Sequence, residues 1–333
     1  MKAIVATKYG SPDVLQFKEV AKPTPKDNEV LVKIHAAAVT VGDVIVVKGE
    51  PFLVRFWSGL LEPKHKIPGK EMAGRVEAFG GNVTQFQPGD EVFGDLSVCG
   101  LGAFAEYVSV PENAIALKPV NMSFEEAAAV AESAIVALQG LRKGKIQPGQ
   151  KVLINGASGG VGTFAVQIAK SFGAVVTAVC STRNVAMARS IGADQVIDYT
   201  QEDFTQNGQR YDLILAANGY HSISDYKRAL SPKGRYVMTG GSGAQMFQAM
   251  FQGPWISMTG SKTMGNMLVK PNKNDLVFMK ELLEAGKVVP VIDRRYPLSE
   301  IPEALRYLEE GHARGKVVIA IGTEQPGLAS TGE

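Results

Sequence analysis

The stretch Lys151-Val152-Leu153-Ile154-Asn155-Gly156-Ala157-Ser158-Gly159-Gly160-Val161-Gly162-Thr163 constrains the fold more than any other part of this 333-residue chain. An apolar strand runs into a glycine-rich turn, and a helix opens at once. Backbone amides at such a turn, backed by the positive end of the helix dipole, suit a pyrophosphate. Glycine lets the backbone approach the phosphates and lets strand and helix pack closely. The spacing is Ala157-x-Gly159-x-x-Gly162, with alanine where the common fingerprint has its first glycine. A glycine motif alone is a weak signal, and its surroundings decide. Strands at Lys151–Asn155, Val175–Cys180, Gln195–Ile197, Tyr211–Leu215 and Arg235–Met238 alternate with helices at Thr163–Ser171 and Asn184–Ile191, which predicts βαβ units and a parallel sheet. Gly156, Ala157, Ser158, Gly159, Gly160, Val161 and Gly162 are therefore expected to bind a dinucleotide.

The end of the next strand selects among dinucleotides. An NAD enzyme usually places Asp or Glu there, on the ribose hydroxyls. This chain has Cys180-Ser181-Thr182-Arg183-Asn184 instead. A carboxylate would repel a 2′-phosphate, whereas a guanidinium pairs with it. NADP(H) is the expected cofactor, with Ser181, Thr182 and Arg183 as contacts. The plain alternative is a helix cap followed by a solvated arginine.

Either side of this alternating region the pattern differs. Val30–Ile34, Gly74–Ala78, Glu91–Gly94 and Phe104–Val108 read as strands, with a turn at Pro88-Gly89-Asp90, and predict a β-rich domain over residues 1–122. Ser123 with Glu126 reads as a capping box that opens an alanine-rich helix reaching toward Leu138, at the start of a domain over 123–264. Beyond 265 come a helix Asp275–Ala285 stopped by Gly286, a helix Ile301–Glu310 bounded by Pro302 and Gly311, and a strand Lys316–Ile321. The polar tail 323–333 is expected to be disordered.

Composition excludes several classes. Lys and Arg number 35 and Asp and Glu 33, so a net charge of +2 gives no reason to expect nucleic acid or an acidic membrane as partner. No run reaches the roughly 18 apolar residues of a membrane span. The N-terminus lacks the apolar region of a signal peptide. A reducing cytoplasm is expected, with Cys99 and Cys180 as free thiols. Glycine is abundant at 36 residues, above a usual share of roughly 7%, while cysteine (2) and histidine (4) are scarce. Two cysteines cannot build a four-cysteine zinc lobe.

The whole chain over residues 1–322 resembles the medium-chain dehydrogenase/reductase superfamily, specifically its zinc-free, quinone oxidoreductase-like branch. The resemblance rests on Pro68-Gly69-Lys70-Glu71-Met72-Ala73-Gly74, Pro88–Val92, Gly102-Ala103-Phe104-Ala105-Glu106-Tyr107, Asn155–Gly162 and Glu310-Gly311-His312-Ala313-Arg314-Gly315-Lys316-Val317-Val318, in that order and spacing. It implies an α/β protein. A GroES-like β-rich domain is followed by a Rossmann domain with a parallel sheet, and the chain returns to the first domain over 265–322. In the superfamily, substrate and nicotinamide meet between the two. It further implies a homodimer and a carboxamide held by the backbone at Leu268 and Val269. Tyr199, Asn218, Gly240, Gly241, Arg314 and Lys316 are counted with them as expected cofactor contacts.

Zinc alcohol dehydrogenases of the superfamily carry Cys-x-x-Asp and Gly-His-Glu segments. The matching places here read Thr40-Val41-Gly42-Asp43 and Gly69-Lys70-Glu71. Threonine and a protonated lysine cannot replace thiolate and imidazole, so no metal is expected. Without zinc, hydride addition to a quinone or an α,β-unsaturated carbonyl demands least, because the developing charge is delocalised. The implied function is NADPH-dependent reduction of such apolar acceptors. An NADP-dependent alcohol or aldehyde oxidoreductase and an NADPH-binding protein with little catalysis are the rivals. Lys70 is the candidate electrostatic donor, against a salt bridge to Glu71 or Asp43 or a solvated side chain. Thr40 is either a substrate-facing hydroxyl or a strand-end residue bonded to its own backbone. Many zinc-free relatives have threonine at Val136, which cannot make that hydrogen bond, and Ser133 lies three residues earlier. Two apolar stretches stand out. Met246–Leu268 suits an adaptable substrate pocket, an oligomer interface or core, and Pro51–Leu61 suits a cleft cover or, less well, a membrane contact.

Overall fold

Branched and aromatic apolar runs form the strands, and glycine, proline and caps end them. In chain order these are β1 (Lys2–Ala6), β2 (Leu15–Glu19), β3 (Glu29–Val39), β4 (Glu71–Phe79), β5 (Glu91–Asp95), β6 (Tyr107–Pro111), β7 (Ile115–Leu117), β8 (Lys151–Asn155), β9 (Val175–Cys180), β10 (Gln195–Asp198), β11 (Tyr211–Ala216), β12 (Leu230–Met238), β13 (Thr263–Asn266), β14 (Ile292–Pro297) and β15 (Lys316–Ala320). The computed structural model describes residues 1–219, 221–241 and 243–322; the expected tail 323–333 lies outside them. The chain forms two compact units. Among the described residues, one holds 1–131, 294–312 and 317–322, and the other holds 132–293 and 313–316.

The first unit is built on an antiparallel-rich sheet ordered β14-β15-β3-β4-β5-β7, with β6 also on β3. The long β3 is its spine. Its first half pairs with β6 (Lys33 opposite Tyr107) and its second half with β15 (Val39 opposite Val317). Ala36, Ala37 and Ala38 on β3 are fully buried, so the helix Phe124–Ala128 can pack closely on the sheet. The capping box at Ser123 forms as expected: its hydroxyl takes the Glu126 amide, and the Glu126 carboxylate takes the Ser123 amide at 2.8 Å.

Two local expectations are corrected here. The strand expected at Phe104–Val108 begins only at Tyr107. Residues 104–106 bond instead to β1, with Ile4 donating to the Phe104 carbonyl (2.9 Å) and Glu106 to that of Lys2 (3.0 Å). The alanine-rich helix does not run on to Leu138. It ends at Ala128, and a second helix spans Ser133–Lys143. The break coincides with the passage between units at Ala131/Glu132.

The second unit carries a parallel sheet ordered β10-β9-β8-β11-β12-β13. Counted from β8 this is the order 3-2-1-4-5-6 of a doubly wound dinucleotide fold. Direction of growth reverses between β8 and β11, where Asn155 stands opposite Ala216. Residues 265–293 belong to this unit, where the sequence placed the return at 265. The helix Lys273–Glu284 explains why. Asp275 in its first turn takes Gln139 Nε2 (2.7 Å) and pairs with Arg142, both on Ser133–Lys143. The strand expected at Arg235–Met238 starts earlier, at Leu230.

Candidate active site

At the end of β8 the backbone turns through Gly156 with φ +81°. A Cβ on Gly156 would lie 2.7 Å from the Asn218 amide nitrogen. Ala157 is fully buried, and its amide donates to the Val179 carbonyl (3.0 Å), so the alanine that replaces the usual first glycine is accommodated. Gly159 is the N-cap of the helix Gly160–Ser171, and no side chain caps it. The leading amides of that helix therefore face outward without a protein cap, which suits an anion. A Cβ on Gly159 would meet only the Gly156 carbonyl, at 3.8 Å, whereas one on Gly162 would overlap that same carbonyl. One glycine gives an open face and the other a close strand–helix contact.

The segment 313–316 braces this loop. Gly315 donates to the Ser158 carbonyl (2.8 Å), and Gly159 and Gly315 form a parallel bridge. Lys316, only 3% exposed, donates from Nζ to the Ser133 hydroxyl (2.9 Å). Its Cδ would stand 3.1 Å from a Cβ on Gly160. Arg314 is exposed, and its amide donates to Asp293 (2.9 Å). The Ser133 hydroxyl is held in this pair with Lys316. Sequence reasoning gave Ser133 no such role, and only its place three residues from Val136 drew attention to it.

The other expected contacts lie along the carboxyl edge of the same sheet. Asn218 donates its amide to the Asn155 carbonyl (3.2 Å), and Gly240 donates to that of Ala216 (3.2 Å). Gly241 follows with φ +126°. Leu268 and Val269 follow β13, with Leu268 83% exposed. Ser181 takes Asn184 Nδ2 (3.1 Å), and Tyr199 donates its amide to Cys180 (3.1 Å). Arg183 is exposed in the short turn Thr182–Asn184.

Sequence reasoning missed Asp198, which stands opposite Cys180 on β10. Hydrogen bonds from Thr182 and then Thr200 hold its carboxyl below the usual carboxylate range. It lies at the carboxyl end of β10, beside the end of β9. Its strand-end position in the parallel neighbour was the available signal.

Thr40 and Lys70 are both in the first unit. Thr40 ends β3 and caps the helix Val41–Lys48. Its hydroxyl and amide both donate to Asp43 Oδ2 (2.9 and 2.8 Å). The Thr40 hydroxyl thus gives its proton to the Asp43 carboxylate and takes the Asp43 amide (3.3 Å). Lys70 is 9% exposed, and a Cβ on Gly42 would overlap its Nζ and come within 3.3 Å of the Thr40 hydroxyl. Ammonium and hydroxyl thus share the space beside Gly42.

These donors do not fit zinc. Among the described residues no group of three or more His, Cys, Asp or Glu could hold a metal ion. Burial, and secondarily Asp95, pushes the Cys99 thiol up to about 12. Burial likewise raises Cys180 to about 11. Both are free protonated thiols near neutral pH, neither nucleophile nor ligand. No helix among the described residues is long and apolar enough to cross a membrane.

Residues 26–120 match the alcohol dehydrogenase GroES-like domain family, and residues 191–319 match the family described as zinc-binding dehydrogenase. A 2-methylene-furan-3-one reductase of Solanum lycopersicum is 37% identical over 332 residues, spanning 96% of this chain and 79% of that protein. The chain belongs to the quinone oxidoreductase-like branch of the medium-chain dehydrogenase/reductase superfamily. A chloroplastic NADPH-dependent alkenal/one oxidoreductase of Arabidopsis thaliana is 32% identical, with the same two coverages of 96% and 79%. The solved quinone oxidoreductase from Coxiella burnetii superposes with TM-score 0.86 at 29% identity, covering 96% of this chain and 99% of that one. Within this superfamily a nicotinamide dinucleotide is the cofactor, and the cradle from Gly156 to Gly162 fits one.

Proposed function

We propose that this protein is a zinc-independent, NADPH-dependent reductase of quinones or α,β-unsaturated carbonyl compounds. The observation that carries the reading is the donor set at Thr40 and Lys70. A capped threonine and a buried lysine stand where zinc-dependent members hold their metal. The names of the relatives, an enone reductase, an alkenal/one oxidoreductase and a quinone oxidoreductase, support the acceptor class. Bound NADPH would supply the hydride. Gly156–Gly162 would hold its pyrophosphate, with Lys316 and Ser133 bracing the loop. Ser181, Thr182 and Arg183 would take the adenosine phosphate, with Tyr199 beside them. Asn218, Gly240, Gly241, Leu268, Val269 and Arg314 would complete the rim. The Lys70 ammonium would donate to the substrate oxygen on which charge develops, and solvent would supply the proton.

Specificity for NADP over NAD rests on Arg183, and Asp198 works against it. The expected NADPH preference is therefore about tenfold, the scale of one charge-assisted hydrogen bond. A homodimer belongs to this reading. The helix Gly243–Thr259 has no charged residue and exposes Met246, Phe247, Met250, Phe251, Trp255 and Met258, a face of the kind that assembly covers. The free, protonated thiols suit a reducing compartment such as the cytoplasm.

The test is NADPH and NADH consumption over a panel of quinones, enones, enals and simple alcohols, with metal content measured on the same sample. Turnover of conjugated acceptors with substoichiometric zinc is expected. Stoichiometric zinc with alcohol oxidation would replace this reading with an alcohol dehydrogenase. Tight NADPH binding with no turnover would make the protein a nucleotide-binding one.

A further inference from the structure

Asn155 ends β8 one residue before Gly156, at the point where the sheet reverses its growth. Its side chain is 5% exposed and donates from Nδ2 to the Tyr226 hydroxyl (2.8 Å). Tyr226 comes from the helix Ile223–Ala229, whose entry is fixed by a capping box between Ser222 and Asp225. Gln245, in the first turn of Gly243–Thr259, donates from Nε2 to the hydroxyls of Tyr226 (3.3 Å) and Tyr236 (2.9 Å). The two tyrosine rings lie 4.6 Å apart. Burial pushes the Tyr226 phenol up to about 12, and the Tyr236 phenol upward too, so both stay neutral.

The surroundings are apolar: Leu153, Val179, Ile214, Ala216, Ala249 and Met264 belong to the same cluster. Apolar residues of similar volume would pack there without the desolvation cost of four polar side chains. What the polar set adds is side chains set close against the turns after β11 and β12; the link through the Asn155 main-chain carbonyl is independent of its side chain. The Asn155 carbonyl takes the amides of Ala217 (2.9 Å) and Asn218 (3.2 Å), after β11. A Cβ on Gly219 would stand 3.1 Å from the Asn155 amide group, and one on Gly241, after β12, 2.6 Å from Gln245 Oε1. Gly156 itself opens the loop after β8.

We propose that Asn155, Tyr226 and Gln245 form a positioning network that ties together the loops after β8, β11 and β12, and so sets dinucleotide affinity rather than turnover. This rests on the cofactor reading above. None of the three need touch the reacting atoms.

The test uses Tyr226→Phe, with Gln245→Met as a second variant should the first fold poorly. In the protein without ligand, amide hydrogen exchange at residues 156–162 and 217–219 is expected to accelerate about tenfold, with β8 itself unchanged. With NADPH, its KM is expected to rise about fivefold, while kcat and acceptor KM hold within about twofold. The double variant should show less than the sum of the two single effects, because both remove the Gln245–Tyr226 hydrogen bond. Unchanged loop exchange would overturn the network whatever the ligand. Exchange rising throughout the sheet with NADPH KM unchanged would reduce it to core packing. A wild-type protein that fails to bind NADPH would instead sink the cofactor reading, and the exchange data on the free protein would still decide the network.

Discussion

The loop Gly156–Gly162 and the corner formed by Thr40, Gly42 and Lys70 use glycine in opposite ways. In the loop, a Cβ would collide with backbone: Gly162 against the Gly156 carbonyl, Gly156 against Asn218. In the corner, a Cβ on Gly42 would meet the far end of a lysine side chain. Backbone cannot step aside, and an ammonium can. The first site is thus a property of the main chain and tolerates little. The second is a property of side chains, which can rearrange while the sheet around them stays.

The sharpest way to break this contrast is Gly162→Ala. It should lower stability by about 3 kcal/mol and weaken NADPH binding by about a hundredfold, read by thermal unfolding and fluorescence titration. A variant with wild-type affinity would mean the loop yields as easily as the corner. Next in size is Lys70→Met, which should cost about a hundredfold in kcat on an enone while NADPH affinity is kept. Unchanged turnover would leave the corner purely structural. At the rim of the loop, Arg183→Ala should raise the NADPH KM about tenfold with little change for NADH, and Asp198→Asn should shift preference a few-fold toward NADPH. Equal losses with both cofactors would remove Arg183 from phosphate recognition.

The smallest effect belongs to the first unit alone. His35 on β3 stacks on Phe124 (centroids 4.5 Å apart), and burial, then Lys33 and Arg75, hold its pKa below the usual 6.5. The unfolded chain then binds more protons, so stability should fall as pH drops through about 6.5 toward the lower folded value. His35→Phe keeps the stack and should shallow that slope in pH-dependent unfolding. It should not flatten it, because burial also lowers His65. An unchanged slope would exclude His35 as the titrating group.

What could be read from the sequence was local. Gly156–Gly162, the Ser123–Glu126 capping box and the stops at Gly286 and Gly311 each lie within a few residues of what they control. Residues whose partners are distant stayed illegible. Asn155 meets Tyr226, Lys316 meets Ser133, and Asp275 meets Arg142, and no local periodicity marks any of these pairs. The strand at 104–108 was misplaced for the same reason, since residues 104–106 bond to β1 at the other end of the first domain. The Thr40 hydroxyl turns to Asp43 three residues on, an orientation that no local pattern marks.

The brace from Gly315 and Lys316 carries a consequence for biosynthesis. Lys316 and Ser133 are 183 residues apart. A ribosome makes Gly156–Gly162 long before Gly315 and Lys316, the residues that brace that loop. Long-separation contacts of this kind form late, because chain closure must come before the reward. The brace is therefore among the later contacts to close, after the more local pairings of the parallel sheet.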